Sequence, residues 1–213
     1  MLFLPVTRPW AIEPVVDAFD ASDVPKSVIL YLDAPGCEGW IDAFESRGWA
    51  VETYRSGNPA PPEGRVIRRG RHLLMRRRSQ EISRERKGPI LYSEDDTLVP
   101  PQTWGPLMRL LKRWRCTAAS GVQYARWGCH IPGTWVYDES SHIYEPHIET
   151  RVYHADAVGH YCLLTDAQTY ANTPIDTNEF SPVDLAHTKN FACILVDPAV
   201  RCKHLLEDGT VIE

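Results

Sequence analysis

Ile90-Leu91-Tyr92-Ser93-Glu94-Asp95-Asp96-Thr97-Leu98-Val99-Pro100-Pro101 combines a short apolar run, three consecutive carboxylates and a Pro-Pro pair. An apolar run that stops abruptly at polar residues predicts a buried strand, here with acids at its C-terminal end. In open α/β sheets, ligands bind at the C-terminal ends of the strands. The stretch therefore predicts a strand whose end contributes to a ligand site.

The three acids offer two interpretations. Neighbouring carboxylates repel one another unless a cation or solvent neutralises them. Oxygen ligands at this density suit a hard divalent ion such as Mg²⁺ or Mn²⁺. The alternative is a solvated acidic turn after the strand, and this stretch alone leaves both interpretations open.

Length and composition are typical of a folded intracellular protein. The 213 residues, 43% of them hydrophobic, fit one large domain or two small ones. No apolar run approaches the ~20 residues of a transmembrane helix, and residues 1–6 are too short for a signal-peptide core. Six cysteines without a CxxC motif favour reduced thiols. We therefore expect one domain, no membrane span and a cytoplasmic location.

The charge is unevenly distributed. Residues 65–87 contain ten Lys or Arg and two Glu, a net charge of +8, whereas the whole chain carries −5. A basic segment directly before an acidic strand end indicates a polyanionic ligand such as a phosphate or a nucleic acid. For most of these arginines the alternative, a solvated helix surface, is the better interpretation.

Strand-like and helix-like patterns alternate in the first half. Strand character is found in residues 1–6, 27–32 and 50–54, and helical spacing in residues 10–19, 39–47, 72–86 and 102–113. This alternation predicts a mostly parallel sheet with helices on both faces, an α/β three-layer sandwich. In the less regular second half, residues 118–127 and 133–137 are predicted to be antiparallel strands.

Three separated segments resemble the GT-A fold glycosyltransferases, especially glycosyltransferase family 2. Residues 90–101, ILYSEDDTLVPP, look like the family's strand that ends in a D-x-D motif with a Pro-Pro tail. Residues 155–170, ADAVGHYCLLTDAQTY, are similar to its G-x-G/C-x-L-L segment. Residues 181–205, SPVDLAHTKNFACILVDPAVRCKHL, look like its E-D-x-D helix, the next strand and a vdPsvrxxHL ending.

The resemblance spans nearly the whole chain in the family's order. It implies a Rossmann-like GT-A fold in a single domain over residues 1–213. Residues 1–101 would form the nucleotide-sugar-binding half, and residues 102–213 the acceptor-binding half with a small antiparallel sheet.

The resemblance also implies a metal site. Glu94 and Asp96 match the two acids of D-x-D, with Asp95 between them, although glutamate at the first position departs from the motif. In the family these acids hold a divalent ion, Mn²⁺ or Mg²⁺, on the diphosphate of a nucleotide sugar. His204 matches a histidine that completes the metal site in some members.

Further positions match residues near the donor nucleotide. Thr7 and Arg8 match the turn after the first strand, and Asp33 matches a residue that contacts the base or ribose. Asp95, the middle acid of the motif, is expected to contact the donor nucleotide as well. The alternative for Asp33 is a turn acid before the following Pro-Gly pair. A basic residue that precedes the D-x-D strand matches one of three candidates, Arg71, Arg77 and Arg78.

The catalytic base is where the chain departs from the family. Inverting members commonly carry a Glu-Asp pair, but Ser181-Pro182 occupy that place here. Asp184 matches the next acid of the motif, and Glu179 and Asp176 lie just upstream as alternatives. For His160, a contact with sugar or acceptor and a packing role are both open.

The predicted function is metal-dependent transfer of a sugar from a nucleotide-diphosphate sugar to an acceptor hydroxyl. The acceptor is undetermined, and the basic segment leaves a nucleic-acid base open. Two alternatives are a catalytically degenerate GT-A domain that only binds a nucleotide sugar or a partner, and a nucleotidyltransferase. The latter usually carries a glycine-rich phosphate loop after the first strand, where this chain has Thr7-Arg8-Pro9-Trp10.

Overall fold

A computed structural model describes residues 1–56, 65–124, 131–176 and 183–212, with the side chains of residues 65–69 left out. In chain order the first elements are β1 (Leu2–Val6), α1 (Ile12–Asp20, preceded by a 3₁₀ turn at Pro9–Ala11), β2 (Ser27–Leu32), α2 (Gly39–Glu45), β3 (Ala50–Arg55), α3 (Arg65–Arg84), β4 (Pro89–Ser93), β5 (Thr97–Leu98) and α4 (Trp104–Trp114). The later elements are β6 (Ala118–Val122), β7 (Thr134–Asp138), β8 (Ile143–Pro146), β9 (Tyr153–Ala155), β10 (Ala157–Val158), β11 (Cys162–Asp166), α5 (Ala167–Asn172), α6 (Val183–Thr188), β12 (Ile194–Arg201), β13 (Lys203–Leu205) and β14 (Val211–Ile212).

Eight strands form the central sheet, in the order β3-β2-β1-β4-β11-β6-β12-β9. β1 pairs in parallel with β2 and β4, β2 with β3, and β6 with β12. β11 is antiparallel to both of its neighbours, β4 and β6, and β9 is antiparallel to β12. The predicted mostly parallel sheet is therefore confirmed.

Among the described residues, the two strands predicted as an antiparallel pair, β6 and β7, do not pair with each other, and an isolated antiparallel bridge from Tyr124 to Pro132 links their ends. β6 lies inside the central sheet, whereas β7 pairs with β8 and β10 in a separate antiparallel sheet. Burial explains the difference, because every residue of β6 is buried whereas β7 is largely half-exposed. A strand buried on both faces requires helices on both sides, and the central sheet provides them.

Alternating side chains divide the core into two layers. Leu2 and Leu4 of β1 pack with the buried residues of α1, α2 and α4, whereas Phe3 points to the opposite face. There Phe3 contacts Tyr92 of β4, and Tyr92 stacks on Tyr170 of α5 at 3.6 Å between ring centroids. Two helical layers thus enclose the sheet, which confirms the predicted three-layer α/β sandwich.

The start of α4 is held by an acid that is distant in the sequence. Both carboxylate oxygens of Asp23 take part, accepting hydrogen bonds of 2.7 Å from the backbone amides of Thr103, Trp104 and Gly105. Burial alone would raise the pKa of Asp23, but these three amide donors lower it below its ordinary value. The interaction ties the loop before β2 to the second half of the chain.

The C-terminal ends of β1, β2 and β4 meet at one edge of the sheet. Thr7 follows β1, Asp33 follows β2, and Glu94 follows β4. β13 joins this edge by pairing with β5, which places His204 opposite Thr97. The edge therefore gathers residues from both ends of the chain, as the parallel topology requires. Among the helices of the described ranges, none has the length and apolarity needed to cross a bilayer.

Candidate functional site

A pocket of about 370 Å³ lies at this edge of the sheet. Predicted site residues from several elements line it: Thr7, Arg8, Glu94, Asp95, Asp184 and His204. The remaining wall is formed mainly by α3 and by aromatic side chains, including His72, Met75, Tyr124, Trp135 and Tyr161. The size is within the range of small-molecule sites, and acids and aromatic rings face the same space.

Asp95 fixes the turn that follows β1. Its Oδ2 accepts hydrogen bonds from the backbone amides of Thr7 at 2.5 Å and Arg8 at 2.8 Å. The guanidinium of Arg8 forms an ion pair with Oδ1, and its Nη2 lies 3.6 Å from Asp96 Oδ2. Asp95 is buried, with 2% of its side chain exposed. The middle acid of the motif thus positions Thr7 and Arg8, and its predicted nucleotide contact stays a prediction.

Asp96 and His204 form a buried pair. Nε2 of His204 lies 3.1 Å from Oδ2 of Asp96, and its Nδ1 lies 3.2 Å from the carbonyl oxygen of Tyr124. Because a carbonyl oxygen only accepts, Nδ1 carries a proton and donates it to this bond. Nε2 then faces the carboxylate with a lone pair in the neutral ring, or with a second proton in the imidazolium. A cation-binding histidine is commonly oriented in this way, with its other nitrogen bonded to a backbone carbonyl.

Glu94 faces a different partner. Nη2 of Arg76 lies 3.2 Å from Glu94 Oε1 and 3.0 Å from Asp184 Oδ1, so one guanidinium bridges the two acids. Arg76 has only 2% of its side chain exposed, whereas Glu94 and Asp184 retain 26% and 28%. A buried guanidinium between two carboxylates is a strong electrostatic anchor, since removing it leaves two uncompensated charges.

The predicted metal ligands are only partly brought together. In the ranges that the structure describes, no group of three or more His, Cys, Asp or Glu could hold a metal ion. Asp96 and His204 are adjacent, while Glu94 is paired with Arg76. One carboxylate and one imidazole still fit a Mn²⁺ or Mg²⁺ that takes its other ligands from substrate phosphates and water.

Asp184 lies on α6 and borders the pocket. Burial would raise its pKa, but the positive charge of Arg76 and the contact with His160 outweigh this and hold the pKa far below its ordinary value. Asp184 is therefore a carboxylate at neutral pH. Of the two alternative bases, Glu179 lies outside the described residues, and Asp176 forms an ion pair with Lys189 and does not line the pocket.

Asp33 and Arg71 form an ion pair beside the pocket. Nε of Arg71 donates to Oδ2 of Asp33 at 2.6 Å, and Asp33 is buried with 2% of its side chain exposed. The two predicted donor-site residues are thus adjacent, at the end of β2 and on α3. Neither is among the residues that line the pocket, so their contact with a nucleotide stays a prediction.

Two of the arginine candidates lie on the outer side of α3. Arg77 and Arg78 are exposed, and Arg78 pairs with Glu81 one helical turn along. Arg76, which the resemblance did not select, contacts two acids that line the pocket, Glu94 and Asp184. The helical phase carried the missing signal, because Arg76 shares one face with Ser79 and Ser83, and both serines are buried.

His160 has a buried contact with the predicted base. It follows β10, has no exposed surface, and its Nδ1 lies 2.7 Å from Oδ1 of Asp184. Its Nε2 lies 3.0 Å from Nδ1 of His187, which is also fully buried. Of the two roles left open for His160, the buried position agrees with packing, and the ring in addition binds Asp184.

No protein-family model matches the chain, and no curated protein sequence matches it. Solved structures do match. GalNAc-T7 with UDP, GalNAc and Mn²⁺ superposes with a TM-score of 0.63 and 11% identity over 96% of this chain and 43% of that chain. S. aureus TarS 1-349 in complex with UDP-GlcNAc superposes with a TM-score of 0.54 and 12% identity, over 92% of this chain and 54% of that chain. A197 from STIV superposes with a TM-score of 0.55 and 8% identity, over 99% of this chain and 91% of that chain.

These neighbours are glycosyltransferases of the GT-A fold, so the predicted GT-A fold is confirmed. The chain spans about half or less of the length of GalNAc-T7 and TarS, and nearly all of A197. At identities of 8–12% the likeness shows the fold alone.

Proposed function

We propose that the protein is a glycosyltransferase that moves a sugar from a nucleotide-diphosphate sugar to an acceptor hydroxyl. The observation that carries this proposal is the placement of His204, which pairs with the buried Asp96, and of Asp184 on the wall of one pocket at the C-terminal edge of the sheet. Asp96 and His204 are suited to hold a cation on the leaving diphosphate. Asp184 is suited to accept the proton of the attacking hydroxyl. The neighbours' complexes with UDP and UDP-GlcNAc support a uridine nucleotide as the donor class.

Asp96 and His204 would hold a divalent cation, for which the complex of GalNAc-T7 with Mn²⁺ is the supporting precedent. When bound, such a cation would stabilise the negative charge of the departing diphosphate as a Lewis acid. Glu94 remains a third candidate ligand, since it faces the same pocket. The Thr7–Arg8 turn, whose amides are held by Asp95, would form the wall of the pocket next to the nucleotide.

Asp184 would act on the acceptor. Arg76 and His160 both bind Oδ1, and within the described residues Oδ2 has no hydrogen-bond partner, which leaves it to accept the hydroxyl proton. The acceptor oxygen forms a bond to the anomeric carbon while the bond from that carbon to the phosphate oxygen breaks. The bonding electrons leave with the nucleoside diphosphate, and the proton goes to Asp184.

The low pKa of Asp184 determines when this proton moves. A carboxylate bound by Arg76 and His160 is a weak base towards a free alcohol. The hydroxyl becomes acidic only as its oxygen bonds to the anomeric carbon, so proton transfer accompanies bond formation. A general base placed in this way contributes roughly 10²–10⁴-fold in rate. Glu179 remains the alternative base.

A thermal-shift screen with UDP-, GDP-, dTDP- and CMP-sugars, each with and without Mn²⁺, tests donor binding. A ligand present at 100 times its dissociation constant stabilises the folded state by about 2.7 kcal/mol, which raises the melting temperature. We expect a Mn²⁺-dependent shift with a UDP-sugar that Asp96→Asn removes. Asp42→Asn, which changes an exposed acid on α2, is the matched control and should leave the shift intact.

Release of nucleoside diphosphate, with water as the acceptor, tests turnover. Slow Mn²⁺-dependent hydrolysis that Asp184→Asn abolishes would support the proposal. Tight donor binding without any release, across the whole panel, would instead identify a binding domain that lacks catalysis. No shift with any nucleotide sugar would overturn the proposed function altogether.

A further inference from the structure

We propose that His160 and His187, here called the histidine pair, are positioning residues that orient Asp184 for proton transfer. The inference rests on the proposed function, in which Asp184 accepts the acceptor proton. The pair would act through Asp184 and would not touch donor or acceptor, because both imidazoles are fully buried.

Hydrogen bonds connect the histidine pair to Asp184. Nδ1 of His187 lies 3.0 Å from Nε2 of His160. Nδ1 of His160 lies 2.7 Å from Oδ1 of Asp184. The chain thus runs from the buried ring of His187 through His160 to a carboxylate at the pocket.

The carboxylate fixes the direction of this chain. Asp184 is ionised and can only accept, so His160 carries its proton on Nδ1 and donates it to Asp184. In a neutral His160 the other nitrogen, Nε2, is then an acceptor, so His187 carries its proton on Nδ1 and donates it to His160. Gln80 lies next to His187 but donates both of its amide hydrogens to the carbonyl oxygens of Tyr170, at 3.1 Å, and Thr173, at 2.6 Å.

Packing holds both rings in place. The imidazoles of the histidine pair are nearly parallel, at 7° and 5.2 Å between centroids, and Tyr170 meets His187 edge-on at 4.7 Å. Thr188 donates to the carbonyl of Val158 and accepts from its amide, which locks α6 against β10. Neither the rings nor the helix that carries Asp184 can rotate without breaking these contacts.

Charged groups around the pair favour its neutral form. Arg76 on α3 and Glu94 after β4 face His160 together with Asp184, and His72 on α3 is a further titratable neighbour of Asp184. Burial first, and then the positive charge of Arg76, lower the pKa of His160. Burial and the two neighbours His160 and Arg76 lower the pKa of His187 well below its ordinary value. At neutral pH the pair therefore donates a neutral hydrogen bond, with no added positive charge at the base.

Substitution of His160 separates orientation from bulk packing. His160→Leu removes the donor, and His160→Asn keeps a donor at the position of Nδ1. We expect kcat for Mn²⁺-dependent hydrolysis of the UDP-sugar that shifts the wild type to fall roughly 10–100-fold in the Leu variant, with KM unchanged. We expect the Asn variant to recover most of this loss. Equal losses in both variants, or a loss in KM alone, would overturn the inference.

A double variant tests whether His160 acts through Asp184. If it does, His160→Leu combined with Asp184→Asn will be no slower than Asp184→Asn alone, because residues that act as a unit lose their effect only once. Losses that multiply would indicate a separate structural effect and would contradict the proposal. Melting temperatures of all variants show whether each protein is folded.

A spectroscopic measurement makes the inference independent of turnover. Long-range ¹H–¹⁵N spectra at pH 7 should show the histidine pair as two neutral rings protonated at Nδ1. A ring protonated at Nε2, or an imidazolium, would refute the hydrogen-bond chain even in an active enzyme. If the spectra agree but no nucleotide sugar binds or turns over, the proposed function fails and the proposed role of the pair fails with it, whereas the chain itself stands.

Discussion

Replacing Arg76 with Met removes the guanidinium that bridges Glu94 and Asp184 but keeps an apolar side chain of similar length. The bridge has two charge-assisted hydrogen bonds, at 3.2 and 3.0 Å. Each such bond contributes roughly 1.5–3 kcal/mol. Because both acids retain about a quarter of their side-chain exposure, water replaces part of the lost interaction. We therefore expect Arg76→Met to lower the free energy of unfolding by about 2–4 kcal/mol.

The same change affects the chemistry of Asp184. Arg76 is the main cause that lowers the pKa of this carboxyl against the effect of burial, so its removal raises that pKa. A carboxylate whose pKa rises loses its charge at higher pH when the solution is acidified. The acidic limb of the pH–rate profile for donor hydrolysis should therefore move to higher pH in the variant, if Asp184 is the base.

Urea unfolding at pH 7, compared with Arg77→Met, gives the stability difference. Arg77 is the next residue of the same helix but is exposed, so its replacement should change the free energy of unfolding by less than about 0.5 kcal/mol. Equal stability of the two variants would refute the bridge as a structural anchor. An unshifted acidic limb in an active Arg76→Met protein would refute Asp184 as the titrating base.

Three further predictions concern stability. Folding lowers the pKa of both histidines of the pair, so below about pH 6.5 the unfolded chain binds more protons than the folded one. For each of the two histidines, the free energy of unfolding should therefore fall by about 1.4 kcal/mol for each pH unit below that value. Urea unfolding midpoints from pH 7.5 to 5.5 measure this decrease. Gly121→Ala should cost about 1–3 kcal/mol, because a Cβ there would lie 2.5 Å from the carbonyl oxygen of Val200, whereas Gly70→Ala meets open space in α3 and should raise the melting temperature. Asp23→Ala should cost about 1–2 kcal/mol through loss of the α4 cap, and a melting temperature equal to wild type would contradict this role.

Much of the fold followed from local patterns. The run Ser27–Leu32 was predicted as a strand and is β2, because β-branched and apolar residues without interruption fit only a buried strand. The acidic strand end also lies where predicted, beyond β4. Strand pairing in the second half could not be predicted in this way. Partners of β6 depend on which strands are buried on both faces, a property of the assembled sheet.

The residues of the candidate site also fall into those that the sequence could predict and those that only the folded chain brings together. The acids after β4 could be predicted because they are consecutive in the sequence, and their partner His204 because the resemblance aligned it. The choice among Arg76, Arg77 and Arg78 could not be made from charge, since one residue along a helix changes the direction of a side chain by about 100°. His187 was not selected because its partner, His160, lies on another element and the contact depends on how α6 meets β10.

The position of β11 has a consequence during synthesis of the chain. β4 is an apolar strand whose one edge pairs with β1 and whose other edge pairs with β11, from Ser93 opposite Cys162 to Pro89 opposite Asp166. On the ribosome, that second edge carries unpaired backbone amides and carbonyls until residue 166 has emerged from the exit tunnel. An exposed apolar strand edge is a template for pairing with other chains. Nascent chains stalled after β4 has left the tunnel and before residue 166 has done so should therefore be especially prone to aggregation or to capture by chaperones.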